Sequence, residues 1–241
     1  MELATMKRSE VGKNILIVES KNDKHFFQAI IRKLNLDIEI TAPILISDED
    51  YREMYGLNHQ KLKDALGNLK ANIQKGEIEK VGVIIDIDDD REEDRLKFVD
   101  KCIQQVFSNS ESLSKVNEFI NLNFEDFSIQ LACYFTNLDG KGELETVLKA
   151  IKQKESIHAD CLESWKNCLG SNGKTIKDKD FDKFWVSIYV RFDTCSNNDK
   201  KQAGRKCSMG AFDYVMENKS EIWDLEHPTL ESLNQFLGLF N

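Results

Sequence analysis

Apolar and polar residues alternate in two patterns through the first 150 residues of the chain. Residues 14–18 (NILIV) form a short apolar run, which predicts a strand, and residues 26–34 carry apolar side chains three and four positions apart, which predicts a helix. Residues 38–46 form a second apolar run that Pro43 interrupts, so we expect this strand to lie at a sheet edge or to break there. The alternation of strand and helix predicts a mostly parallel sheet with right-handed crossovers.

The same alternation continues to residue 150. Residues 59–74 predict a helix that Gly76 ends, and residues 81–85 (VGVII) are typical of a strand that is covered on both faces. The remaining predicted elements of this part are a helix over residues 96–107, a strand over residues 127–138, a turn at Gly140 and Gly142, and a helix that begins at Glu143 or Glu145.

The last third of the chain is mainly helical. Polar loops separate four segments in which apolar residues recur at helical intervals, namely residues 157–169, 181–192, 211–216 and 229–240. The pattern therefore predicts an α/β protein. Its core, with a mostly parallel sheet flanked by helices, is expected over residues 13–150, and a helical extension packed on that core is expected over residues 151–241.

Composition favours a globular cytoplasmic protein. The 241 residues are 41% hydrophobic and 31% charged, and a chain of this length can bury a large core without a disulfide or a metal. No apolar run approaches the roughly 18 residues that a membrane-spanning helix needs. The first ten residues also lack the apolar stretch of a secretory signal. We therefore expect neither secretion nor a membrane partner.

The cysteines are scattered without a close pair, which is typical of reduced thiols in the cytoplasm. They are Cys102, Cys133, Cys161, Cys168, Cys195 and Cys207. His158, Cys161 and Cys168 could contribute to a zinc site, but a fourth ligand and the usual tight spacing are missing. Because Cys161 and Cys168 lie seven residues apart on a predicted helix, we expect them on its buried face.

The strongest candidate for chemistry is the acidic end of the strand at residues 81–85, where the sequence continues as DIDDDREEDR. If the strand persists to Ile87, the carboxylates of Asp86 and Asp88 leave the same side of the backbone. Two carboxylates at the carboxyl end of a strand suit a divalent cation such as Mg²⁺ or Mn²⁺. The alternative is a solvated, acidic helix start, a role that fits the acidic residues after Asp88 well.

Two other kinds of acidic site fit this run less well. Asp86, Asp88 and Asp90 match the first, third and fifth positions of an EF-hand calcium loop. The sixth and twelfth positions of that loop would need Gly and Glu, and they are Arg91 and Lys97 here. A phosphatase with an aspartyl nucleophile would need Thr or Val after the second Asp and a more N-terminal placement.

Three further acidic residues belong to the same predicted sheet edge. Glu19 ends the first strand, Asp23 lies at the start of the helix that follows, and Glu145 lies at the start of the helix after residues 127–138. Each also fits a simpler role. Asp23, like Asn22, fits the N-cap of its helix, and helix starts generally favour a carboxylate such as Glu145.

The net charge of −9 disfavours broad binding of nucleic acid, which depends on neutralising phosphates. The charge is unevenly distributed, however. Residues 166–206 contain ten Lys or Arg against five Asp, a local balance of +5, so the rest of the chain carries −14. This basic segment is either a footprint for a polyanion or a solvated, lysine-rich surface.

Three stretches taken in order, IVESKNDKHFF, VGVIIDIDDDRE and GELE, resemble the Toprim fold. This Rossmann-like, metal-binding domain occurs in topoisomerases, bacterial primases and OLD-family nucleases. The spacing of Glu19 and Asp23 is more similar to the OLD nucleases than to the topoisomerases. A closer resemblance is to small stand-alone Toprim-like proteins of bacteria, which share the GxLE element at residues 142–145 and a late helix that ends in Leu-Phe. The usual Gly after the first-strand Glu is Ser20 here.

The resemblance implies a site and partners. The residues that would bind one or two Mg²⁺ or Mn²⁺ ions are Glu19, Asp23, Asp86, Asp88 and Glu145. Glu19, Asp86 and Asp88 would act on phosphodiester bonds in DNA or RNA together with a late lysine, for which we take Lys201 over Lys200 and Lys206. The resemblance to OLD nucleases also implies a separate ATPase protein as partner, and the chain has no GxxxxGK[ST] loop of its own. Whether the active form is a homo-oligomer stays open.

A metal-dependent nuclease is the first hypothesis for the function. The second is a Toprim-like module without catalytic activity that binds a nucleotide, a nucleic acid or a protein partner and keeps the cation site as a structural or regulatory element. A third is phosphoryl transfer to or from a small molecule. The nuclease hypothesis depends on one spatial prediction, that Glu19 lies within reach of Asp86 and Asp88.

Overall fold

The computed structural model describes residues 12–40, 59–108 and 110–241 of the chain. Its strands form one sheet in the order β2-β1-β3-β5-β4. They are β1 (Lys13–Val18), β2 (Glu39–Ile40), β3 (Ile78–Asp86), β4 (Ile120–Phe124) and β5 (Phe127–Thr136). β1 pairs in parallel with β2 and β3, β3 pairs in parallel with β5, and β4 runs antiparallel to β5.

Helices flank this sheet in the described part of the chain. They are α1 (Lys21–Leu34), α2 (His59–Asn68), α3 (Lys70–Gln74), α4 (Glu92–Val106), α5 (Leu144–Ala150), α6 (Ile157–Ser171), α7 (Asp178–Ile188), α8 (Ala203–Lys206), α9 (Phe212–Asn218) and α10 (Glu231–Gly238). A π-helical turn, Tyr189–Asp193, continues α7. The predicted α/β fold, with a mostly parallel sheet and a helical C-terminal part, is confirmed.

The differences from the sequence-based prediction are local. β4 was missed because asparagines occupy two of its five positions, and asparagine is uncommon in strands. The predicted helix over residues 59–74 is divided into α2 and α3. Of the predicted strand over residues 38–46, β2 accounts for Glu39 and Ile40, and residues 41–46, with Pro43, lie outside the described residues.

Side chains of the central strands alternate between two apolar cores, one on each face of the sheet. Leu16 and Val18 of β1 face a core that α1, α5, α7, α9 and α10 complete, whereas Ile15 and Ile17 face a core that α2, α3 and α4 complete. Each large side chain that is fully buried in this way contributes about 1.5–3 kcal/mol. Burial on both faces explains the uninterrupted apolar run of β3.

The C-terminal helix α10 packs directly against the middle of the sheet. Gly82 of β3 makes this approach possible, because a Cβ at that position would collide with Leu16 and lie 2.9 Å from Phe240. Phe236 of α10 packs on Tyr134 of β5, with ring centroids 5.6 Å apart. Residues of the C-terminal part therefore supply side chains to one of the two cores.

Two predictions about the cysteines are wrong. Cys195 and Cys207 form a disulfide, because the intervening turn and α8 bring their Cα atoms to 5.6 Å, so the six cysteines are not all reduced thiols. Cys161 and Cys168 are exposed rather than buried. The reason is that α6 packs on the core mainly through Ala159, so the face with these two cysteines points outward. No helix of the described residues is both long and apolar enough to cross a membrane.

Candidate metal centre

The candidate site lies where the parallel strands β1 and β3 end side by side. The chain moves from β1 outward to β2 and then crosses to β3 on the other side of β1. Such a change of winding direction leaves a crevice at the carboxyl ends of the two strands, and open α/β sheets usually bind their ligands there. Glu19 directly follows β1, and Asp86 is the last residue of β3.

Glu19 and Asp86 are in contact. The backbone N–H of Asp86 donates a hydrogen bond of 3.0 Å to Oε2 of Glu19. The parallel register, in which Val18 pairs with Ile84, brings these two chain positions together although 67 residues separate them. The structure therefore joins the first-strand carboxylate to the acidic end of the central strand.

Asp23 faces the same site from the first turn of α1. Ser20, whose extended backbone suits an N-cap, accepts a hydrogen bond from the Asp23 N–H, and its hydroxyl donates to Oδ2 of Asp23 at 2.5 Å. The prediction that Asn22 or Asp23 caps this helix is therefore wrong. Because Ser20 takes the capping role, the Asp23 carboxylate is turned inward, where it is only 3% exposed.

The turn before α5 brings two more glutamates to the site. Gly142 has a φ of +93° and exchanges two backbone hydrogen bonds with Asp88, of 2.9 and 2.8 Å, which tie this turn to the end of β3. Glu143 is the buried N-cap of α5, and Glu145 lies in the first turn of the helix. The sequence analysis takes Glu145 and not Glu143 as the ligand from this turn, although GELE places two carboxylates around one buried leucine.

Asp88 differs from the prediction. β3 ends at Asp86, and Asp88 adopts a left-handed backbone conformation with a φ of +55°, so the two carboxylates are not related by strand alternation. Oδ2 of Asp88 lies 2.6 Å from Nη2 of Arg95, a buried residue of α4. The assumption that the strand persists to Ile87 is wrong, because Asp88 leaves the strand to pair with Gly142.

Burial raises the pKa of five carboxyl groups around this edge, those of Glu19, Asp23, Asp86, Glu143 and Glu145. The pKa of Asp23 rises to about 7. For Asp86, the charges of the other four carboxylates add to the effect of burial, and its pKa lies well above the ordinary value. The carboxylates are therefore close enough to repel one another.

Two basic residues oppose this repulsion. Nζ of Lys183, on α7, lies 3.0 Å from Oε2 of Glu143 and also lowers the pKa of Glu145, while Arg95 lowers that of Glu19. Sequence reasoning missed both, because nothing in their amphipathic helices distinguishes them from other basic residues. Lys201 is an exposed residue of the 3₁₀ turn Lys200–Gln202, and its catalytic role stays a prediction.

Three carboxylate oxygens of the site are buried without a hydrogen-bond partner, namely Oδ1 of Asp23, Oδ1 of Asp86 and Oε1 of Glu143. Unpartnered carboxylates are costly inside a protein, and hard anionic oxygens are the ligands that Mg²⁺ and Mn²⁺ prefer, so the donor set fits such a cation. With the side chains as they stand, no three His, Cys, Asp or Glu residues within the described ranges form a group that could hold a metal ion. The site thus has the chemistry of a cation centre, but its side chains have not converged into a ligand shell.

The fold and this edge define a class of protein, an α/β domain with a buried carboxylate cluster at the ends of parallel strands. The chain belongs to the family described as "Protein of unknown function (DUF3226)", whose model matches residues 13–240. It is similar to a solved structure of the C-terminal region of the OLD protein from Xanthomonas campestris pv. campestris, with 10% identity and a TM-score of 0.37, over 95% of this chain and 96% of that chain. No curated protein matches the chain.

Proposed function

We propose that this chain is a Toprim-type, metal-dependent nuclease that cuts phosphodiester bonds in DNA or RNA. The observation that carries the proposal is the contact between Glu19 and the backbone of Asp86 at the carboxyl ends of neighbouring parallel strands. The ordered motifs of the sequence support it, since the same residues belong to the motifs that resemble those of a Toprim site.

The electrostatics of the site support a divalent cation. Five carboxyl groups with a raised pKa are gathered at one sheet edge, and three of their oxygens are buried without a partner. A cation would remove the mutual repulsion that burial strengthens. The residues that would hold it are Glu19, Asp23, Asp86, Asp88 and Glu145, with Glu143 added by its position. When bound, such a cation neutralises charge on the scissile phosphate and polarises an attacking water.

The chain's own basic residues would complete the site. Arg95 holds the carboxylate of Asp88 in place through their 2.6 Å contact. Lys183 pairs with Glu143 and is half-exposed, so it would lie beside a phosphate that enters from solvent and would stabilise charge on the transition state. Geometry thus favours Lys183 for the role that the sequence assigned to Lys201.

Cleavage of supercoiled plasmid and of labelled RNA in the presence of Mn²⁺ tests the proposal. We expect the wild type to cleave at least one of the two and Asp86→Asn to lose cleavage, because the substitution removes an anionic ligand but keeps its shape. Asp89→Asn is the matched control, since Asp89 is an exposed neighbour. Equal cleavage by wild type and Asp86→Asn, or no cleavage of either substrate by the wild type, contradicts the proposal.

A module without catalytic activity is the second candidate, and one observation favours it. Asp88, one of the three carboxylates proposed to act on the phosphodiester, is already paired with Arg95. Such a module would bind Mn²⁺ without turnover. Calorimetric titration with Mn²⁺, run beside the cleavage assay, separates the two candidates, because only the nuclease links cation binding to strand cleavage.

A further inference from the structure

Exposed aromatic side chains are concentrated on one helical hairpin. Of the six large apolar side chains that are exposed in the described residues, four belong to α6, α7 and the π-helical turn, namely Ile157, Trp165, Phe184 and Phe192. Trp165 and Phe184 touch edge to face, with ring centroids 5.5 Å apart, and Phe192 lies 5.9 Å from the ring of His158. We call Trp165, Phe184 and Phe192 the aromatic surface. Between 40% and 50% of each of these residues is open to solvent.

The aromatic surface adjoins and overlaps the part of the chain that carries positive charge. Residues 166–206 have a local charge of +5, whereas the rest of the chain carries −14. Lys174 and Lys177 are exposed just before α7, and Lys200, Lys201 and Arg205 are exposed beyond the π-helical turn. α6 carries a net charge of −1, as does α7 with its π-helical turn, so the positive charge lies in the loops at the two ends of the hairpin. Rings open to solvent between lysine-rich loops complement the two parts of a nucleic acid strand, its flat bases and its phosphates.

The same helix also reaches the metal centre. Lys183, which binds Glu143, is followed directly by Phe184, and Asp182 binds Lys149 of α5 at 3.1 Å. α7 is therefore fixed to α5, whose first turn carries the glutamates of the site. The aromatic surface and the glutamates of the site therefore lie on neighbouring helices that are in contact.

We propose that the aromatic surface binds a single-stranded stretch of nucleic acid, with bases stacked on Trp165, Phe184 and Phe192 and with phosphates neutralised by residues of the basic segment. Single strands are favoured because duplex pairing and stacking hide the faces of the bases. The inference rests on the proposed function in one respect, namely that the bound strand would continue into the metal centre.

Fluorescence anisotropy with labelled oligothymidine, and with a duplex of equal length, tests the surface. The buffer contains a chelator so that cleavage does not interfere. We expect the wild type to bind oligothymidine more tightly than the duplex, and Phe184→Ala/Phe192→Ala to weaken binding by about tenfold or more. Phe127→Ala, an exposed phenylalanine at the start of β5, is the matched control and should bind like the wild type.

A second pair of variants tests the charge without touching the rings. Lys174→Gln/Lys177→Gln should make the salt dependence of binding shallower, because two phosphate contacts are lost, whereas the phenylalanine variant should keep the wild-type slope. All four substituted side chains are exposed, and circular dichroism of each variant tests whether it folds like the wild type. Equal affinity of the wild type and the phenylalanine variant overturns the inference. So does a change from oligomer to monomer in sedimentation, because it would assign the surface to contacts between copies of the chain.

The outcome is independent of cleavage. A wild type that cuts nothing but loses oligothymidine binding in the phenylalanine variant contradicts the nuclease proposal and supports the surface. A wild type that cuts plasmid, paired with a phenylalanine variant that binds oligothymidine unchanged, supports the nuclease and overturns the surface.

Discussion

Asp23 and Asp199 each accept a hydrogen bond from a serine three residues earlier, yet their pKa values move in opposite directions. Burial, together with the charges of neighbouring carboxylates, raises the pKa of Asp23 to about 7. Hydrogen bonds from Ser196 and from two lysines lower the pKa of Asp199 to about 2. An aspartate with a serine partner therefore lies among excess negative charge in one region, at Asp23. In the other region, at Asp199, it lies among balanced charges.

The two regions differ in whether their charges are satisfied. Asp199 lies 3.1 Å from each of Lys206 and Lys219, in a segment that the disulfide closes, so its neighbourhood holds this part of the fold together. The candidate metal centre leaves buried carboxylate oxygens unpartnered and keeps like charges together. A folded chain retains such an arrangement at a cost in stability, which is typical of functional sites. The comparison supports a structural role for one acidic region and is the basis of the function proposed for the other.

The largest effect is expected at Asp86, where one substitution should lower activity and raise stability. Asp86→Asn should lower Mn²⁺-dependent cleavage by about 100-fold or more, because it removes a ligand of the cation. The same substitution should raise the free energy of unfolding of the cation-free protein by about 1 kcal/mol, because it removes buried charge repulsion. Cleavage assays and urea denaturation measure the two effects. A variant that is both less active and less stable would identify Asp86 as a structural residue.

The region of Asp199 and the Cys195–Cys207 disulfide should respond in the opposite way, with a change in stability and none in cation binding. Cys195→Ser/Cys207→Ser should lower the free energy of unfolding by about 3 kcal/mol in oxidising buffer, because the disulfide closes a short loop of the unfolded chain. Mn²⁺ binding should be unchanged. Cys161→Ser/Cys168→Ser, which alters two exposed free thiols, is the control and should have wild-type stability. Equal stability of all three proteins would mean that the disulfide does not hold this segment in solution.

Cation and proton should compete at the metal centre. Because the pKa of Asp23 rises to about 7 on folding, its contribution to stability is complete below the unfolded value, near 3.8, and is lost as the pH rises towards 7. The cation-free protein should therefore become less stable over that range, and Asp23→Asn should reduce this dependence. A fixed Mn²⁺ concentration, set to about 100 times the dissociation constant at about pH 8, should restore about 2.7 kcal/mol at that pH. The same concentration should restore much less at about pH 5, where protons weaken Mn²⁺ binding. Thermal melts in both conditions measure the effect, and equal stabilisation by Mn²⁺ at both values would contradict it.

The sequence predicts those parts of the fold that repeat a local pattern. β1, β3 and β5 were found as apolar runs, and the order of strands and helices then predicted one sheet edge for the acidic residues. That prediction needs only the rule that parallel strands end on the same side. β4 escaped because five alternating residues, two of them asparagines facing solvent, give too weak a signal.

The parts of the site that the sequence did not predict depend on tertiary contacts. Lys183 reaches Glu143 only because α7 packs on α5, and no periodicity in α7 indicates that contact. Arg95 meets Asp88 because β3 ends one residue before Ile87, a boundary that the apolar pattern does not fix. The disulfide likewise depends on how the loop between Thr194 and Cys207 folds. Sequence spacing can predict that carboxylates lie at one edge of the sheet, but it cannot predict which basic residues pair with them.

The smallest expected effect comes from neutralising Asp199, whose charge is balanced by Lys206 and Lys219. Asp199→Asn should lower the melting temperature slightly at neutral pH, by less than loss of the disulfide, because its ion pairs are partly open to solvent and screened. The sign of the pH dependence is opposite to that of Asp23. A lowered pKa contributes stability above the unfolded value, near 3.8, and that stability is lost as the pH falls towards 2. Melting curves of wild type and variant should therefore differ at neutral pH and converge near pH 2, with plasmid cleavage unchanged. A variant that is more stable than the wild type at neutral pH would place Asp199 with the unbalanced acids of the metal centre, and the contrast between the two regions would be lost.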